Sequence, residues 1–151
     1  IRIMPNINAT VLEAMSAYCC SESVTDDQKE FVNKLCSSFG KVMPLSESYF
    51  PLFCSIAGCA PAYAYMFIDS LARSAVKNGM NKSVALEIAA QTVLGSAKKI
   101  LESDEHPWEL IEKVCSPGGT TIEGIVSLQK DGFESAVCNA VDAALQKDKK
   151  V

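Results

Sequence analysis

The sequence predicts a mainly helical domain over residues 46–151, preceded by a small α/β segment over residues 1–45. Three observations predict it. Before Ser46 the chain alternates short apolar runs with one capped helix, which is sheet-like punctuation. After Ser46 the apolar residues recur at helical spacing, with helix start and stop signals between them. Two of those later helices are apolar on almost every side, so they belong inside a large core or a subunit interface.

Ile1-Arg2-Ile3-Met4 is an extended run stopped by Pro5-Asn6, and Ala14 to Cys20 is a second short apolar run. Thr25-Asp26-Asp27-Gln28 is a capping box with two acids in the first turn. Phe31, Val32, Leu35 and Phe39 give the helix that follows its apolar stripe, and Gly40 ends it. Lys41 to Leu45 is a third short strand. Three such strands and one helix make a poor independent unit, and the segment reads as the closing edge of a larger sheet. From Ser46 a short helix runs over Glu47 to Ile56. A second starts at Pro61 and ends near Lys77-Asn78-Gly79, and a third runs from Asn81 to about Glu102. Pro107 opens a fourth, with His106 placed to cap it. Thr120 opens the last, which continues towards Lys147 with a break at Gly132. The second and third helices carry the all-round apolar surface, at Ala62 to Ile68 and at Val84 to Ile100. A second copy of the chain would cover both.

Composition narrows the function classes. The 151 residues carry a net charge of −4 with scattered Lys and Arg, which argues against nucleic acid. The tail cluster Lys147, Lys149 and Lys150 reads as a solvated helix end. There is one histidine, His106, so neither a Ser-His-Asp triad nor a multi-histidine metal site is expected from this chain alone. Seven cysteines, an odd count with no C-x-x-C spacing, and no apolar leader at residue 1 fit a reducing, cytoplasmic setting. Tyr49 to Ile68 is free of charge and long enough to span a bilayer. Pro51, Gly58 and Pro61 break it into a helix, a turn and a helix, so no membrane association is expected. Asp69 and Arg73 are spaced for an i,i+4 pair. Tyr63 and Tyr65 are expected to be buried rings with bonded hydroxyls, and Trp108 to pack.

The chemistry concentrates in Ser116-Pro117-Gly118-Gly119-Thr120-Thr121-Ile122-Glu123. Thr120 and Glu123 are spaced as a capping box, and the two glycines before them leave the backbone amides bare. A helix start of this kind suits a carboxylate or a phosphate. The hydroxyls of Ser116 and Thr121 can add donors. A plain turn feeding a capped helix would account for the same residues. Neither a dinucleotide fingerprint nor a P-loop occurs.

Ser116-Pro117-Gly118-Gly119-Thr120-Thr121 resembles the signature near the C-terminus of pyrroline-5-carboxylate reductases. Met4-Pro5-Asn6, Pro61-Ala62-Tyr63, Ala89 to Gly95 with Ala97-Lys98, His106-Pro107 and Asp131-Gly132-Phe133 resemble further family motifs in the same order, so the likeness covers nearly the whole chain. The resemblance implies that residues 1–45 are the end of a nucleotide-binding Rossmann domain. It implies that residues 46–151 are a helical dimerisation and substrate domain, similar to the C-terminal domain of 6-phosphogluconate dehydrogenase. It implies reduction of 1-pyrroline-5-carboxylate to proline with NADP or NAD as cofactor, a homodimer or a multiple of it, and an imino acid as substrate.

By the same resemblance, Ser116, Gly118, Gly119, Thr120 and Thr121 hold the substrate carboxylate, the Thr121 hydroxyl lies beside the ring nitrogen as the catalytic residue, and Glu47 approaches the substrate. Asn6 and Lys113 are the candidate cofactor contacts, with Lys113 alternatively a plain solvated lysine. Such a site suits hydride attack on a protonated imine, since it anchors the carboxylate and favours positive charge on nitrogen. The sequence departs from the family at Ala57-Gly58-Cys59-Ala60, where the family has S-G-S-G, and at Ile7-Asn8, where it has T-P. No cofactor is expected on this chain alone, because it contains no Rossmann phosphate loop. The rival reading is a non-catalytic dimerisation or scaffold module that keeps the fold without the reaction.

Overall fold

The computed structural model describes residues 1–148. Lys149 and Lys150 of the basic tail lie outside the described residues. The chain divides into two units. One comprises Ile1–Tyr63 with the end of the last helix from Cys138 onward, and the other Ala64–Val137.

The first unit is built on a three-stranded sheet, β1 (Arg2–Met4), β2 (Ala14–Cys19) and β3 (Gly40–Pro44), in the order β1-β2-β3. β1 runs antiparallel to β2, with Arg2 opposite Cys19 and Met4 opposite Ala17. β2 and β3 are parallel, so a crossover must join them, and α1 (Asp26–Ser37) supplies it. Thr25 caps α1 in a reciprocal box with Gln28, as the sequence indicates. Gly40 stands where a Cβ would fall 2.2 Å from the Ala14 carbonyl oxygen, so the parallel pair closes only around a glycine.

The core of this unit is Tyr18, Val32 and Cys36, with Cys20, Phe39 and Val42 against it. Two expectations change here. The buried seam of α1 is Val32 and Cys36, whereas Phe31 and Leu35 are 66% and 47% exposed. They sit on the flank of the helix that the three strands do not cover. The helix also stops at Ser37, and Gly40 opens β3 instead of closing α1.

Glu47–Tyr49 forms a 3-10 turn and leads into α2 (Phe50–Phe53). A π turn over Cys54–Gly58 follows, and α3 (Ala60–Lys77) begins after Cys59. Phe50 is fully buried, with the Arg2 guanidinium 4.7 Å over its ring. The stretch Glu47–Lys77 is long and apolar enough to cross a membrane by length and composition, and 11% of its most apolar window is buried.

The second unit is helical. α4 (Lys82–Leu101) is capped by Asn81, whose side chain accepts from the Ser83 amide at 2.9 Å. α5 (Pro107–Val114) is capped by His106, whose Nδ1 accepts from the Trp108 amide while Glu109 accepts from the His106 amide. α6 (Thr120–Lys130) and α7 (Phe133–Asp148) flank the break at Asp131-Gly132. Asp69 and Arg73 form their i,i+4 pair at 2.5 Å.

The core of this unit is an alanine seam, Ala72, Ala85 and Ala89, with Ile68 and Ala75 beside it. The larger side chains remain outside. Met66 is 74% exposed, Leu94 59% and Ile88 51%. Tyr65 and Trp108, expected to pack, are also exposed. In the first unit Tyr63 meets expectation better: it is half-buried, and its hydroxyl donates to the Ala140 carbonyl at 3.4 Å.

Candidate anion-binding loop

The loop residues of the second unit come together as one turn and one helix start. The Gly119 amide donates to the Ser116 carbonyl at 3.0 Å, closing a four-residue turn. Pro117 takes its second position and Gly118, at φ 65°, its third, the pattern of a type II turn. The N-cap of α6 is Gly119, with φ −81° and ψ 172°, and no side chain caps the helix.

The capping box expected between Thr120 and Glu123 is therefore absent. The turn closes on Gly119, so Thr120 is already the first helical residue and Glu123 falls one position too late to reach back. The amides of Thr120, Thr121 and Ile122 are thus without a side-chain cap, which favours the anion reading over the plain capped turn. A Cβ on Gly119 would lie 2.3 Å from the Ser116 Oγ and 3.1 Å from the Ser116 carbonyl oxygen, so a side chain there must displace the Ser116 hydroxyl and press on its carbonyl. Ser116 and Thr120 are exposed, and Thr121 is half-buried.

Thr121 also reaches a groove of about 640 Å³ in the same unit, lined largely by apolar groups and including Thr92, Ser96, Lys99, Leu110 and Ile125. The size is that of a small-molecule site. Thr92, Ser96 and Lys99 went unnoticed in the sequence. Their signal was present: spacings of four and three put all three on one face of α4. Lys113 lines this groove too, and its ammonium is paired with Glu105, whose carboxyl is held below its usual range by that hydrogen bond.

The first unit holds the other two predicted residues. Glu47 is exposed and accepts from Arg2 at 3.0 Å, beside a cleft of about 800 Å³ lined also by Cys19, Cys20 and Lys29. Asn6 is committed on both sides of its amide. Its Nδ2 donates to the Ala57 carbonyl at 2.9 Å, and its Oδ1 accepts from the Met15 amide at 3.2 Å. Asn6 thus ties the Met4-Pro5-Asn6 corner to β2 and to the π turn. Among the described residues, no group of three or more His, Cys, Asp or Glu could hold a metal ion.

Residues 47–151 match the family model described as pyrroline-5-carboxylate reductase dimerisation. The chain belongs to that family. A pyrroline-5-carboxylate reductase of Aquifex aeolicus is 40% identical over all 151 residues, which cover 57% of that relative. Among solved structures, the 1-pyrroline-5-carboxylate reductase of Streptococcus pyogenes superposes with a TM-score of 0.94 at 42% identity, covering 99% of this chain and 58% of that one. The Plasmodium falciparum pyrroline carboxylate reductase, solved with NADP bound, gives 0.92 at 36% identity, covering 98% and 60%. The chain thus spans a little over half the length of the relatives it matches. The mainly helical fold with a small α/β part in front, expected from the sequence, is also the fold of the matching part of these reductases.

Proposed function

We propose that this chain is the substrate-binding and self-associating part of a pyrroline-5-carboxylate reductase, which reduces the ring imine of 1-pyrroline-5-carboxylate to proline with NADP or NAD in its reduced form. The observation that carries the reading is the uncapped start of α6 behind the Ser116–Gly119 turn. Three bare amides at the positive end of a helix offer a carboxylate both hydrogen bonds and charge. Gly118 and Gly119 keep the approach open, and Ser116 and Thr120 border it.

The Thr121 hydroxyl, one residue into the helix and half-buried, is the group assigned to the ring nitrogen. An oxygen there accepts from the N–H of the protonated imine and favours its positive charge. Glu47 is the carboxylate assigned to the substrate, and its pairing with Arg2 means that Arg2 competes for it. Asn6 is assigned to the cofactor side through the corner it stabilises, and Lys113 through its ammonium, which must leave Glu105 to reach a phosphate. The cofactor supplies the hydride. A second copy of the chain covers the exposed apolar helices of the Ala64–Val137 unit.

The test is Thr121→Ala in the protein carrying this chain together with a nucleotide-binding domain, assayed by pyrroline-5-carboxylate-dependent oxidation of reduced nicotinamide. The hydroxyl makes one hydrogen bond to a charged group, so its loss should cost about 1.5–3 kcal/mol in kcat/KM. An unmodified protein that turns over no substrate would favour the scaffold reading instead.

A further inference from the structure

The π turn carries a feature that the reductase reading does not use. Cys54 opens the turn and Cys59 follows it, and the Cys59 amide donates to the Cys54 carbonyl at 3.0 Å. In a regular α-helix, residues five apart are separated by about 7.5 Å of axial rise alone, beyond the reach of a disulfide. The wider π turn stacks residue 59 back over residue 54. Gly58, next to Cys59, has no side chain, and a Cβ there would lie 3.3 Å from the Cys54 sulfur, so that sulfur rests against the Gly58 position. The Cys59 side chain is near enough to Cys54 to help push its thiol up. Both cysteines are free and half-buried, open to a small reagent.

We infer that Cys54 and Cys59 form a reversible disulfide across the π turn, a redox-sensitive clasp formed by exchange with a small-molecule disulfide such as oxidised glutathione. The proposal stands apart from the reductase reading. In the exchange a thiolate attacks the small disulfide and expels one thiolate of the reagent, leaving a mixed disulfide on the protein. The second cysteine then attacks the protein sulfur of that mixed disulfide and expels the other. Both cysteine protons are released to solvent or to the departing thiolates, and the reagent takes up the two electrons.

Burial, Cys59 and Asp148 push the Cys54 thiol up, so Cys54 is the poor first attacker and acts as the resolving cysteine. Once closed, the clasp fixes the turn whose Ala57 carbonyl receives the Asn6 side chain.

The folded chain, treated with oxidised glutathione, alkylated and digested with trypsin, gives the test. The peptide Val42–Arg73 contains Cys54 and Cys59 and no other cysteine. It should appear lighter by two hydrogens and blocked to alkylation, and a dithiol should reverse both changes. Cys54→Ser should instead retain one glutathione on Cys59. An unmodified peptide in the unsubstituted chain, a stable glutathione adduct on either cysteine, or a cross-link to another cysteine would each overturn the proposal. These readings come from the unsubstituted chain, so they stand even if the variant fails to fold.

Discussion

The sheet-bearing unit and the helical unit bury their apolar residues in different ways. In the first, strand β2 and the crossover helix α1 enclose Tyr18, Val32 and Cys36, and Phe50 is sealed beneath the Arg2 guanidinium. In the second, only alanines reach the interior, and Met66, Ile88 and Leu94 face outward. Single exposed hydrophobic residues are ordinary on a protein surface, but a whole set of large ones on consecutive helices marks an interaction face. The difference teaches that one unit carries much of its core within itself, while the core of the other is completed by something outside it.

That contrast can be broken by substitution. Phe50→Ala removes a ring that is fully buried in its own unit, and should cost about 3–5 kcal/mol. The loss should appear in denaturant melts and should not depend on protein concentration. Met66→Asp makes the opposite test. At a true solvent position it would change stability by no more than about 0.5 kcal/mol. Beneath a second copy it should weaken self-association roughly a hundredfold, equivalent to ~3 kcal/mol. Sedimentation across a dilution series separates the two cases.

The anion loop belongs to the unit that must be completed, and it can be probed separately. Gly119→Val should weaken binding of L-proline by the nucleotide-binding-domain-containing protein at least about tenfold, since its branched side chain would enter the Ser116 turn and stand over the amides. Calorimetry measures the affinity, and a melt run beside it shows whether the fold survives. Normal affinity would mean that these amides do not hold the carboxylate. The smallest effect should come from His106→Ala. It removes one half of a helix cap and should cost about 1 kcal/mol, seen as a modest fall in melting temperature with proline affinity unchanged.

Much of this was legible in the sequence, because local chemistry decides it. The Thr25 box, the Asn81 and His106 caps, and the breaks before Pro107 and at Gly132 are each set by a few adjacent residues. The position of the Ser116–Thr121 turn was legible for the same reason. The exact cap was not, since Gly119 and Thr120 are both acceptable N-cap residues and only the closed turn decides between them. Contacts across the sequence were hidden altogether. Asn6 meets Ala57 from 51 residues away and Arg2 meets Glu47 from 45, and nothing in either local pattern announces the partner. The π turn was also hidden, as Ile56-Ala57-Gly58 serves equally well in an α-helix. The exposure of Phe31, Leu35 and Tyr65 escaped for a different reason: apolar periodicity shows which face wants cover, not whether the cover comes from the same chain.

The central claim, that a second copy completes the helical unit, is tested most directly by sedimentation equilibrium of the 151-residue chain at micromolar concentration without detergent. The account predicts a species at twice the chain mass, or a multiple of it, with no significant monomer. A stable, monodisperse monomer with the same helical content would contradict it.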